Sequence, residues 1–322
     1  MTPGRLPALD ALVRGFANLR ANRELVLVQI ASGVLLAASI LVPLLLFFAR
    51  LGIPLSVWNT KDPEALAKAL ASVSLDLGQL TSMLGLGLLV MLVVGTLVFV
   101  LYCWFQAGTL AVLLAGEAQA PVGRRMPAEV FRTFTWAGFV GWASRYGMRI
   151  FWINNLFLIF LTLLLLAFTL PIVLASWFSE DGVSALGCVM GCGLALPLGF
   201  IAVVLVLAMM VAQICAVEEG ATTWRATRRA FSITGHRLGG LLLLYLLTIC
   251  GSLAVTTLFG VAGFVLKLAL ARAETLLAVL SAGLGIVEFV VSVGLTLAMT
   301  AAIVAMVRAE MRLESAATPP AA

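Results

Sequence analysis

The chain has 322 residues, of which 62% are hydrophobic and 11% charged, with a formal net charge of +5. That composition excludes an ordinary soluble domain, whose charged fraction is about 25%. Its one histidine and five cysteines, the latter all in or beside apolar runs, support neither a zinc site nor a disulfide framework, so no metal or cofactor is expected.

Residues 1–24 form a basic arm. Within it Leu9, Leu12, Val13 and Phe16 recur at three- and four-residue steps, while Asp10, Arg14 and Asn18 take the other face. This predicts an amphipathic helix lying on a membrane surface.

Six apolar stretches follow, at residues 25–49, 83–115, 150–178, 185–217, 238–266 and 275–307. Each exceeds the roughly 20 residues that cross a hydrocarbon core as a helix. Tilt, or kinks at Pro171 and Pro197, would absorb the excess length. The first run is longer than a signal-peptide core and is read as an uncleaved span. Residues 308–322 form a tail. The predicted fold is an all-α integral membrane protein with six transmembrane helices and short interfacial amphipathic helices.

Between the spans, Asp62 and Pro63 open a stretch in which Leu66, Leu70, Val73 and Leu77 share one side. A second candidate helix begins at Pro127, with Val130, Phe131 and Phe134 opposite Glu129, Arg132 and Thr133. A third sets Trp224, Ala230 and Phe231 opposite Arg225, Arg228 and Arg229. Twice a span ends at glutamate (Glu117; Glu218 with Glu219), a basic aromatic stretch follows, and the next span begins after an arginine (Arg149; Arg237). The spans therefore read as three related hairpins, an echo that positive-inside topology alone would also produce.

Fifteen of the Lys and Arg residues flank one set of span ends and five the other. The positive-inside rule then puts both termini and the two basic loops in the cytoplasm of a cell with this protein in its inner membrane. The loop with Glu180 and Asp181 faces out.

The segments "ALVRGFANLRANREL", "FQAGTLAVLLAGE", "FRTF" and "CAVEEGATTWRATRRAFSITGHRLGGLLLL" occur in that order. In this arrangement the chain resembles the stand-alone membrane-domain family named after glycerophosphodiester phosphodiesterase, over roughly residues 8 to 310. The resemblance implies the six-span fold. It implies no enzyme activity, because the phosphodiesterase chemistry of that family belongs to an appended soluble barrel that these 322 residues do not contain.

The polar residues of the spans carry the remaining functional signal. Glu288 sits about 20 Å into the last span, near mid-membrane, where an acid costs several kcal/mol unless neutralised, paired or hydrated. Ser281, Gly285, Ser292 and Thr296 share its face. The fifth span offers Thr248, Ser252, Thr256, Gly260 and Gly263, ending at Lys267, which snorkels outward. Two readings are open: a substrate crevice lined by Ser252, Thr256, Glu288 and Ser292, or a protonated Glu288 acting as structural glue. Gln29, Gln106, Asn154, Asn155 and Gln213 are read as bridges between helices. Arg145, Arg149, Arg225, Arg228 and Arg229 form a basic rim, either interfacial anchors or a site for lipid headgroups.

Enzyme motifs fail. No GxxxxGK[ST] loop occurs. "GVSA" at 182–185 is similar to the serine motif of rhomboid-like proteases, but Ser184 and His236 fall on opposite sides of the membrane, and a catalytic dyad needs contact. Dispersed arginines exclude a nucleic-acid face. The expected function is non-enzymatic: transporting, binding or sensing a lipid or other membrane-soluble substrate, with membrane lipids as partners. The alternative is a scaffold that holds envelope proteins, another membrane protein or a second copy of the chain.

Overall fold

Each apolar stretch forms a single helix, because none of them contains a breaker strong enough to override some 25 residues of good helix formers. The computed structural model describes residues 6–50, 77–121, 126–178, 185–270 and 273–317. Among them are α1 (Ala8–Ala21), α2 (Glu24–Arg50), α3 (Leu77–Gln119), α4 (Trp136–Phe178), α5 (Ala185–Glu218), α6 (Thr223–Ala269) and α7 (Glu274–Ala317). There is no strand among the described residues. Helices α2 to α7 are each long and apolar enough to cross a membrane, so the protein is an all-α, six-span membrane protein. The stretch at Asp62 to Val73 and the loop at 179–184 lie outside the described residues.

Several helices are far longer than a bilayer needs. Helix α6 has 47 residues, about 70 Å at helical rise, against a hydrocarbon core of about 30 Å. The extra length lies largely toward the arginine-rich ends: α4 begins at Trp136 and α6 at Thr223, while α7 runs on to Ala317. The arginine-rich stretch at Trp224 to Phe231 is therefore not a separate surface helix. It is the first turns of α6, since nothing between Thr223 and Leu238 stops helix propagation.

The Pro127 segment departs from its periodicity in a different way. Only a single 3-10 turn forms, Ala128–Phe131, and Arg132 is extended with φ −74° and ψ 111°. The Asn22 side chain explains this. Its Nδ2 donates to the Phe131 carbonyl (2.8 Å) and its Oδ1 accepts from the Thr133 and Phe134 amides (3.0 and 2.9 Å), groups that a continuing helix would have used internally.

The chain divides into two compact units, residues 29–103 and the remainder. In residues 29–103 the hydroxyls of Ser32, Ser39 and Thr96 bond back to carbonyls of their own helix, and Val34, Ile40, Leu89 and Leu92 are exposed, as suits a lipid-facing surface. In the larger unit α4, α5, α6 and α7 pack in sequence order, each against the next. Burial within it is confined to one half. Among the described residues it ends at Phe157 in α4 and Leu244 in α6, and begins at Leu207 in α5 and Leu297 in α7. Helix α1 and the C-terminal part of α7 lie at this end, termed the basic end below.

Helix α1 packs against α7. Its amphipathic pattern is as expected, but the polar side faces the protein. Arg14 and Asn18 are buried while Leu9, Val13 and Phe16 are exposed. Gly15 makes this approach feasible: a Cβ there would sit 2.7 Å from the Ala302 backbone nitrogen, closer than any real side chain tolerates.

Candidate functional site at the basic end

Arg14, Asn18 and Asn22 recur every four residues, forming one polar ridge that α1 and the turn after it press into the bundle. Arg14 Nη2 meets Glu117 Oε2 at 2.7 Å, with only 6% and 3% of the two side chains exposed. Arg14 also donates to the Pro121 carbonyl, and Asn18 to the Leu113 carbonyl at 3.0 Å. The ridge thus grips the last turns of α3 and the chain just beyond them.

The C-terminal part of α7 adds to this grip. Arg308 donates to the Leu114 carbonyl (2.6 Å) and pairs with Glu218 at the end of α5 (3.0 Å), while Arg312 donates to the Glu117 carbonyl (3.2 Å). Arg237 of α6 pairs with Glu310 of α7, and Arg132 with Glu24. Arg229 lies between Glu219 and Glu314, at 2.9 Å from each. Six glutamates at this end are thereby held by arginines. Partial burial is the main cause that pushes the Glu219 carboxyl above its ordinary value. Arg229 and, more weakly, Arg225 oppose this, and Glu314 and Glu218 reinforce it.

Two to three turns deeper along α3, three amides cross the bundle as a chain. Gln106 Nε2 donates to Gln213 Oε1 at 2.8 Å, and Gln213 Nε2 donates to Asn154 Oδ1 at 2.5 Å. Helices α3, α5 and α4 are joined by these two bonds. Asn155 instead donates to the Phe151 carbonyl of its own helix.

The five rim arginines divide. Arg229 is held by its two carboxylates, whereas Arg145, Arg149, Arg225 and Arg228 make no ion pair with an acid among the described residues. Arg145 and Arg149, one turn apart on α4, each place the guanidinium carbon 5.6 Å from the Tyr146 ring centroid. Arg149 Nη1 is buried without a hydrogen-bond partner. It abuts Gly220, whose φ of +61° turns the chain from α5 into α6 and favours glycine there. Trp224, Arg225 and Arg228 are exposed on the first turns of α6.

The polar stripes on the last two spans come to lie on neighbouring helices. Met306 seats against Gly240, Leu295 against Gly251 and Leu284 against Gly263, which fixes an antiparallel register between α6 and α7. Glu288 is then about level with Leu258, and Ser252 lies about 9 Å nearer the basic end. Glu288, Ser292 and Ser252 are half-buried and Thr256 is exposed. Among the described residues no hydrogen bond joins Glu288 to Ser252, Thr256 or Ser292. Gly260 has nothing within 4 Å of a built Cβ, so that part of the α6 stripe lies off the packed seam. Lys267 is exposed.

No cluster of His, Cys, Asp and Glu able to hold a metal exists among the described residues. Comparison with family models, with curated proteins and with solved structures finds no match.

Proposed function

We propose that this chain is a non-enzymatic, lipid-binding protein of the inner membrane, with the basic end in the cytoplasm and anionic lipid held at the rim of Arg145, Arg149, Arg225 and Arg228. One observation carries the reading. Six glutamates at the basic end are engaged with other arginines, yet these four rim cations form no ion pair with an acid among the described residues, and Met148, Trp152 and Trp224 close to them in sequence are exposed. Cations with aromatic neighbours at the end of a span suit lipid headgroups. The resemblance to the stand-alone membrane-domain family belongs to the same proposal, since it implies a membrane domain without its own catalysis.

The test is the lipid that accompanies the purified protein. Extraction and mass spectrometry are expected to show anionic lipid enriched over the bulk membrane, and the enrichment to vanish in Arg145→Gln/Arg149→Gln. Retained lipid of bulk composition in both proteins would refute the reading, as would turnover of a lipid by the wild type.

A scaffold role is the second reading. It is favoured by Trp224, 70% exposed, and Arg228 one turn along the same α6 face. Charge reversal at Arg225 and Arg228 would then release a protein partner while leaving bound lipid unchanged.

A further inference from the structure

The geometry points to a phosphate-monoester headgroup, of the phosphatidic-acid type, as the ligand of the Arg145/Arg149 site, an inference that rests on the lipid-binding reading above. Two guanidinium groups flank one ring, Tyr146, at equal 5.6 Å distances. Neither has an acidic partner among the described residues. The acids just before Gly220 are taken, Glu218 by Arg308 and Glu219 by Arg229. The site therefore holds close to two uncompensated positive charges.

A third donor set adjoins them. Arg149 Nη1 touches the position of Gly220, three residues before α6 begins, and the Thr222 side chain makes no capping bond to the first turn. The first backbone bond into this helix reaches only the Ala226 amide, so earlier amides remain open to an acceptor. A 47-residue helix adds about half a positive charge at that end.

Charge and donor count together select the ligand. A phosphodiester brings one negative charge and two free oxygens. A monoester brings about −1.5 to −2 and three acceptor oxygens, which matches two arginines and a helix end. Met148 and Trp152, 54% and 58% exposed, follow on the same α4 face and offer a surface for acyl chains, so the phosphate is that of a lipid rather than a free anion. A glycine at 220 keeps the approach to Arg149 clear of a side chain.

Native mass spectrometry of the full chain in detergent, titrated with phosphatidic acid, phosphatidylglycerol and inorganic phosphate, tests this. Phosphatidic acid is expected to bind at least fivefold more tightly than phosphatidylglycerol. Arg145→Gln is expected to weaken it about tenfold, as loss of a charge-assisted bond implies, and Arg20→Gln, at an exposed position on α1 outside the rim, to leave it unchanged. Arg145 is exposed, so its loss leaves folding intact, and Arg149→Lys retains charge while removing the planar fork, which is also expected to weaken binding. Equal binding of the two lipids would overturn the monoester inference and leave the lipid reading standing. Undiminished selectivity in Arg145→Gln and Arg149→Lys would overturn the site. Displacement of the lipid by millimolar inorganic phosphate would overturn the lipid source. Binding of neither lipid would sink the lipid-binding reading itself.

Discussion

The two halves of the larger unit spend their polar residues differently. At the basic end, Arg14, Asn18, Asn22, Glu117 and Gln213 are buried, and nearly all their bonds go to other elements of the protein. In the opposite half the hydroxyls of Thr169 and Thr248 bond back to their own helices, and apolar side chains such as Leu163, Leu253 and Val287 are exposed. Lipid attracts apolar side chains as well as protein does, so it provides little drive to pack that half. Specific association in such a chain depends on polar bonds and close backbone approach, which the basic end supplies.

The largest expected effect comes from breaking the buried pair. Glu117→Gln or Arg14→Ala removes one member of a desolvated ion pair and is expected to cost about 3–5 kcal/mol, read as thermal unfolding in detergent. A double-mutant cycle should return a coupling of about 0.5–3 kcal/mol, and a coupling near zero would show that α1 is not fastened by it. Asn22→Ala strands two amides and a carbonyl of the Phe131 to Phe134 segment and is expected to cost about 2–4 kcal/mol. Accelerated proteolysis near residue 132 would accompany it.

Gln213→Leu severs both links of the amide chain. In a membrane bundle this is expected to cost only about 1 kcal/mol, without loss of fold. Glu288→Gln belongs to the other half and is expected to change stability by less than about 0.5 kcal/mol. A larger loss would mean that the far half also holds itself together through polar contacts.

The smallest effect is a pH dependence. Because burial raises the Glu219 carboxyl, its contribution favours the folded state below the ordinary carboxylate range and is lost as pH rises through the raised value. Glu219→Gln should flatten the stability profile from about pH 4.5 upward. A profile identical to wild type would contradict this.

The six spans were legible because long apolar runs leave helices as the only spanning structure. The amphipathic period of α1 was legible too, but not which face meets the protein. Pattern places Arg14 and Asn18 opposite Leu9 and Val13, while only the distant Glu117 and Leu113 carbonyl make burial of the polar face favourable. The Pro127 segment misled for the same reason. Its local period reads as helix, and a single residue more than 100 positions away, Asn22, holds it extended. Of the candidate sites, the bridging role of Gln106, Asn154 and Gln213 followed from amides being costly in lipid unless paired. The division of the arginine rim did not, since only the fold brings Glu314 to Arg229 and leaves Arg145 and Arg149 without an acid among the described residues.

The most direct test sets the two halves against each other in one measurement: the anionic lipid retained per protein after purification, in wild type, Arg145→Gln/Arg149→Gln and Glu288→Gln. Retention is expected to equal wild type in Glu288→Gln and to fall to near background in the arginine double variant. Loss of the lipid in Glu288→Gln, with full retention in the arginine variant, would move the functional site to the α6–α7 seam and contradict a site at the arginine rim.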